Sequence, residues 1–77
     1  MAERVRVEIR GVVQGVGFRP FVNSVAHRLA LGGFVGNDER GVFVEVEGQS
    51  DAIQRFLGAL ESDLPPLAAI DEVRTTA

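Results

Sequence analysis

Apolar residues alternate with polar ones in some stretches of the chain and recur at helical spacing in others. Alternation governs residues 5–10 and 42–47, and each stretch is typical of a strand with one buried face. Helical spacing governs residues 21–29 and 51–63, and each of these carries a single apolar stripe. The hydrophobic pattern therefore predicts helices inserted between strands.

Glycine, proline and capping residues define the ends of the predicted elements. Gly32-Gly33 is expected to stop the first helix near Leu31, and Pro65-Pro66 prevents continuation of the second. Ser50 is a good N-cap for that second helix. The predicted elements are strands at residues 4–13, 33–37, 42–47 and 69–75, with helices at about residues 20–31 and 51–63.

Two connections have a more specific form. The polar residues 37–41 predict a β-hairpin with a loop of about four residues. In the last strand, Ile70 and Val73 fall on opposite faces under strict alternation, so we expect a bulge or an offset there.

The order of elements is strand, helix, strand, strand, helix, strand. Two helices with one apolar stripe each can cover one face of a four-stranded antiparallel sheet, which is the α+β, ferredoxin-like βαββαβ sandwich. That fold predicts the strand order 4-1-3-2. The length of 77 residues fits one domain, residues 1–77.

Composition excludes several classes of chemistry. The chain has no cysteine and one histidine, which excludes disulfides, thiolate zinc sites, a cysteine nucleophile and histidine-rich metal sites. We expect no metal and no cofactor. The net charge of −3 argues against non-specific nucleic-acid binding. Since no apolar run approaches ~20 residues and no signal-peptide pattern opens the chain, we expect a cytoplasmic location and no membrane association.

The stretch from Gln14 to Pro20 joins the first strand to the first helix. Gly15 and Gly17 permit backbone conformations that a side chain would forbid, and Pro20 suits the first turn of a helix. The N–H groups of such a turn form a cradle for an anion, with Arg19 at its rim as a planar, two-pronged phosphate ligand. The stretch matches neither common nucleotide loop, because it lacks both the Gly-Lys-Ser/Thr ending and the third glycine. The alternative is ordinary turn chemistry beside a solvated arginine.

The topology places Asn37 close to this turn. A helix of about 12 residues descends ~18 Å. A strand of 5 to 6 residues then climbs back ~17–20 Å and ends at Asn37. We therefore predict that Asn37 lies beside Arg19, eighteen positions earlier in the chain. An asparagine in this place also has a plain explanation, as a turn-forming residue at the end of a strand.

These residues carry a family resemblance. The motif Gln14-Gly15-Val16-Gly17-Phe18-Arg19, followed eighteen residues later by Asn37, resembles the acylphosphatase family. The longer form, which continues through Pro20-Phe21-Val22, is similar to the N-terminal acylphosphatase-like domain of the HypF family of hydrogenase maturation carbamoyltransferases. The likeness covers nearly the whole chain and is weakest in its C-terminal third.

The resemblance implies roles for these residues. It implies that Arg19 and the backbone of Gly15, Val16, Gly17 and Phe18 bind a phosphoryl group, while Asn37 orients the attacking water. It also implies carbamoyl phosphate as substrate, inorganic phosphate or sulfate as further ligands, and the remaining domains of a larger maturation protein as partners.

Three positions depart from the family pattern. Ala30 stands where a helix-ending glycine is usual, so the helix end is expected to move toward Gly32-Gly33. Glu39 stands where glycine is common in the hairpin turn. The chain ends at Ala77, before the extra segment and the zinc-finger and transferase regions of the longer proteins, and so resembles a domain excised from one of them.

Hydrolysis of an acyl phosphate fits this short inventory of reactive groups. The leaving carboxylate needs no general acid, so positioning a water and neutralising phosphoryl charge suffice. His27 is expected on the surface and Ser24 lacks a neighbouring base, so neither is assigned a catalytic role. Two other classes remain: a catalytically silent anion-binding or docking module, and a nucleic-acid binder. Nucleic-acid-binding sheets of this fold use exposed aromatic residues, and in the second alternating strand only Phe43 points off the face of Val42, Val44 and Val46. An amino-acid-binding regulatory domain shares the fold but would not need Arg19.

Overall fold

The computed structural model describes residues 2–13, 17–39 and 41–77. The elements, in chain order, are β1 (Ala2–Val12), α1 (Phe18–Arg28), β2 (Gly32–Asp38), β3 (Gly41–Gln49), α2 (Ser50–Ser62) and β4 (Ala69–Thr76). All six predicted elements are present. The order βαββαβ confirms the ferredoxin-like α+β sandwich.

The four strands form one antiparallel sheet in the order β2-β3-β1-β4. Read from the other edge this is 4-1-3-2, as predicted. The central pair places Val7 opposite Val44 and Ile9 opposite Val42. Because residues directly opposite share a face, the valines and isoleucine of the two central strands form one continuous apolar surface.

The core lies between this surface and the two helices. Its apolar side chains come from both layers, and all are at most 9% exposed. They are Val7, Ile9, Val13, Phe18, Val22, Val25, Val42, Val44, Val46, Ile53, Phe56, Leu60 and Ala68. The helical stripes predicted from the sequence therefore bury against the sheet. Phe18 is part of this core, although its place in the glycine motif suggested a residue of the loop.

The end of α1 differs from the prediction. The helix ends at Arg28, and Ala30 takes a left-handed conformation with φ 58°. The Leu31 N–H donates to the Ala26 carbonyl at 2.8 Å and the Ala30 N–H to that of His27 at 3.1 Å, which is the Schellman pattern of a helix C-terminus. The expected displacement toward Gly32-Gly33 is wrong: the alanine occupies the position that favours glycine.

Two further boundaries are corrected. The β2–β3 hairpin pairs Asp38 with Gly41, so two positions separate the strands instead of about four. The Asp38 carboxylate accepts a hydrogen bond from the Gly41 N–H at 3.1 Å, and this bond stabilises the turn between the two strands. At the start of α2 the cap residue is Gln49, in extended conformation and without a side-chain cap hydrogen bond. Ser50 is instead the first helical residue.

The irregularity expected in the last strand is present. Arg10 and Gly11 are consecutive in β1, but their partners in β4 are Glu72 and Ile70. Asp71 is therefore the extra residue of a β-bulge. The bulge returns Ile70 to the helix-covered face, where it packs against the core.

The opposite face of the sheet is charged. Arg4 and Arg6 both bind the Glu45 carboxylate, at 2.9 and 3.2 Å, and this contact raises the pKa of Arg4 above its ordinary value. The Arg6 guanidinium also lies 4.6 Å from the centre of the Phe43 ring. Phe43 packs edge-on against the half-exposed Phe34. Phe43 thus points away from the core face.

Candidate active site

The turn before α1 has the backbone conformation that its glycine suggested. Gly17 is the N-cap of the helix, with φ 80° and ψ 12°, and its carbonyl accepts the Phe21 N–H at 3.2 Å. A β-carbon at Gly17 would have no described atom within 4 Å. The requirement for glycine is therefore conformational, because other residues rarely adopt a positive φ.

Phe18 and Arg19 open the helix with their backbone N–H groups free of intrahelical partners, as in any first turn. The Phe18 side chain is 1% exposed and its ring centre lies 5.9 Å from that of Phe21. Phe18 can therefore contact an anion only through its N–H, while its ring anchors the turn to the core. The Arg19 side chain, by contrast, is exposed.

Arg19 and Asn37 meet as the topology predicted. The Arg19 Nη1 donates to the Asn37 Oδ1 at 3.5 Å, the long limit of a hydrogen bond. Asn37 lies opposite Val42 in the β2–β3 ladder. Because Val42 is buried under the helices, this register turns Asn37 to the same face of the sheet, toward α1.

A cavity of about 440 Å³ lies at this end of α1. Its described lining consists of Val13, Gly17, Phe18, Arg19, Pro20 and Asn23. Arg19 is the one charged side chain among them, and none is a histidine or a carboxylate. The cavity thus combines one fixed positive charge with the N-terminal end of a helix, a combination suited to an anion.

Asn23 is a site residue that the sequence analysis did not single out. It follows Arg19 by four positions and so lies one helical turn further along the same side of α1. The spacing i, i+4 from Arg19 was the available signal, but a polar residue beside an apolar stripe is usually a solvated one.

The remaining residues considered in the sequence analysis lie outside the described part of the chain or away from the cavity around Arg19. Gly15 and Val16, two of the predicted phosphate-binding residues, lie outside the described residues. His27 and Ser24 are exposed on α1, and neither lines the cavity around Arg19.

Metal and membrane sites receive no support from the described part of the chain. Within residues 2–13, 17–39 and 41–77, no three histidine or carboxylate side chains are grouped as a metal site would need. Neither described helix has the length and apolar character to cross a membrane.

Comparison with known proteins places this geometry in context. The family model named acylphosphatase matches residues 5–77. The acylphosphatase of Bacillus subtilis superimposes with a TM-score of 0.89 at 35% identity, covering 99% of this chain and 83% of that one. Full-length HypF, solved in the phosphate- and nucleotide-bound form, gives a TM-score of 0.96 at 38% identity over 99% of this chain and 10% of that one.

Longer relatives share the sequence as well as the fold. Carbamoyltransferase HypF2 of Cupriavidus necator is 50% identical over 70 residues, which cover 91% of this chain and 9% of the relative. The chain thus spans about a tenth of the length of the carbamoyltransferases that it matches.

Proposed function

The chain belongs to the acylphosphatase family, and from that premise we propose that it hydrolyses acyl phosphates, with carbamoyl phosphate as substrate. The observation that carries the proposal is the contact of Arg19 with Asn37 at 3.5 Å, beside the N-terminus of α1. A charged, two-pronged anion ligand and a neutral amide converge there from two different elements. Water-positioning and phosphate-binding groups are the two parts that this reaction needs.

The phosphoryl group is bound by Arg19 together with the N–H groups of Gly17, Phe18 and Arg19. The guanidinium fork contacts two phosphoryl oxygens, and the N–H groups with the helix dipole complete the cradle. In the transition state, charge is spread over the equatorial oxygens, and the same donors stabilise it. We extend the cradle to the backbone of Gly15 and Val16.

Asn37 orients the attacking water. An amide both donates and accepts hydrogen bonds, so it can hold a water without altering its charge. The water oxygen forms a bond to phosphorus while the bond from phosphorus to the bridging oxygen breaks. The bridging oxygen leaves with the electron pair as a carboxylate, or as carbamate when the substrate is carbamoyl phosphate. The proton of the water passes to a phosphoryl oxygen of the substrate itself.

The side chains that line the cavity are consistent with hydrolysis without an acid–base residue. Its described lining contains no group that titrates near neutral pH. A carboxylate leaving group needs no protonation, so neither a general acid nor a covalent nucleophile is required.

The setting of the reaction is also a proposal. The likeness to HypF carbamoyltransferases, of which this chain spans about a tenth, supports a role as one domain of a larger protein in [NiFe]-hydrogenase maturation. Carbamoyl transfer itself would belong to the other domains. The cytoplasmic location expected from the sequence stays a prediction.

Phosphate release from carbamoyl phosphate and from benzoyl phosphate, measured side by side, tests the function. Wild-type protein should release phosphate from both, and Arg19→Ala should lose this activity. Arg55→Ala is the matched control, because Arg55 is exposed on α2 and its loss changes the net charge equally. Binding of inorganic phosphate without turnover of either substrate would overturn the proposal in favour of a silent phosphate-binding module.

A further inference from the structure

Two rows of side chains face each other across the gap between α1 and the edge strand β2. On α1, Arg19, Asn23 and His27 recur every four residues along one side of the helix. On β2, Gly33, Val35 and Asn37 lie opposite Val46, Val44 and Val42, and therefore share the helix-covered face of the sheet. Four residues of a helix advance ~6 Å along its axis and two residues of a strand advance ~6.6 Å, so the spacing of side chains is nearly the same in the two rows.

The structure shows how the row on α1 aligns with the row on β2. Arg19 meets Asn37 at 3.5 Å at one end. The remaining residues of both rows, Asn23 and His27 on α1 and Gly33 and Val35 on β2, line a cleft of about 140 Å³. Gly33, one of the lining residues, has a positive φ of 124°. A β-carbon there would lie 1.8 Å from the Glu45 carbonyl oxygen, so the position accepts only glycine.

Asn23 belongs to both spaces. It lines the cavity around Arg19 and also the α1–β2 cleft. Its side chain is exposed and makes no hydrogen bond within the described part of the chain. A free amide thus stands between the candidate phosphate site and an adjoining cleft that has Val35 on its other side.

We propose that Asn23 determines which acyl group is accepted, by hydrogen bonding to the part of the substrate that lies beyond the phosphoryl group. The inference rests on the proposed function, because it takes the phosphoryl group to bind at Arg19. One bridging oxygen separates the acyl carbon from phosphorus, so the acyl group stays within the cavity around Arg19, whose lining also includes Asn23. A small acyl group with its own donor and acceptor, such as carbamoyl, satisfies the Asn23 amide. An acetyl group of the same shape presents a methyl group instead of the amino group and leaves one amide hydrogen bond unmade.

Two stable phosphonates test this preference without turnover. Phosphonoacetamide and 2-oxopropylphosphonate replace the bridging oxygen of carbamoyl and acetyl phosphate by a methylene group, and they differ only in amino against methyl. Wild-type protein should bind phosphonoacetamide about three- to tenfold more tightly, the scale of one neutral hydrogen bond. In Asn23→Ala the two dissociation constants should become equal, and Asn23→Leu should reverse the order. The Kd for inorganic phosphate should stay unchanged in both variants.

Ser24→Ala is the matched control. Ser24 is the next residue of α1, is exposed, and lines neither space, so this variant should keep the wild-type preference. Equal binding of the two phosphonates by the wild type would overturn the inference. So would a preference that survives in Asn23→Ala, or a loss of phosphate binding in that variant. Failure of the wild type to bind inorganic phosphate at all would instead contradict the proposed function.

Discussion

The Arg19 guanidinium lies 3.5 Å from the Asn37 side-chain oxygen, although the two residues are eighteen positions apart in the chain. At that length the hydrogen bond is weak, so little is lost when either group turns to a ligand. Neither side chain is buried, and each is carried by a regular element, the first turn of α1 and the end of β2. The pair is thus held in place by the backbone while its polar groups stay available.

Phosphate should stabilise the folded protein through Arg19. Because phosphate binds only the folded state, the wild-type Tm should rise with phosphate concentration and more than in chloride at equal ionic strength. Arg19→Ala should weaken the phosphate Kd by about tenfold or more, the scale of charge-assisted hydrogen bonds. Arg19→Lys should recover little, since a point charge does not reproduce the planar fork. Thermal melts over a phosphate series measure this; an unchanged phosphate response in Arg19→Ala would remove the arginine from the site.

Turnover should depend little on pH. No histidine or carboxylate is found in the described lining of the cavity around Arg19, so kcat should change by less than about twofold between roughly pH 5 and 8, where such groups usually titrate. Steady-state kinetics across that range measure this. A bell-shaped profile would show that an acid–base residue takes part, and His27→Gln and Asp38→Asn would then identify it.

Ala30→Gly should stabilise the fold. Ala30 has φ 58° at the end of α1, and a non-glycine residue in this region costs about 1 kcal/mol or more. We expect the free energy of unfolding to rise by about 1 kcal/mol and the Tm by about 4–8 °C. Gln54→Gly, at an exposed position in the interior of α2, should have the opposite sign, because glycine destabilises a helix interior by about 1 kcal/mol. Denaturant unfolding of both variants tests the assignment, and a destabilised Ala30→Gly protein would contradict it.

The sequence predicted what depends on periodicity and on element length. Alternation and helical spacing predicted β1, β3 and both helices, and the rise per residue of helix and strand predicted that Asn37 lies beside Arg19. The position of Asn37 on the helix-covered face then follows from the same alternation that buries Val42.

What the sequence missed depends on tertiary packing. The left-handed turn at Ala30 goes against the residue's own preference and is accompanied by Leu31, whose Cδ2 lies 2.5 Å from where a β-carbon of Gly48 would be. Leu31 therefore fills the space above a glycine of β3, a contact that local pattern does not reveal. The burial of Phe18 was not predicted because the residue belongs to the glycine motif, which was assigned to the loop. Asn23 was passed over because a polar helical residue is ordinarily solvated.

The central claim is that Asn37 positions the attacking water and does not bind the phosphoryl group. The Asn37→Ala variant tests this claim most directly. Asn37→Ala removes the water-positioning amide and leaves Arg19 and the N-terminus of α1 intact. Glu39→Ala, an exposed change in the same hairpin, is the control, and circular dichroism should first show both variants folded. With carbamoyl phosphate as substrate and inorganic phosphate as competitive inhibitor, kcat of Asn37→Ala should fall by about 10²-fold or more. Its phosphate Ki should stay near the wild-type value. Full turnover in folded Asn37→Ala, or a loss of phosphate affinity as severe as in Arg19→Ala, would contradict the account.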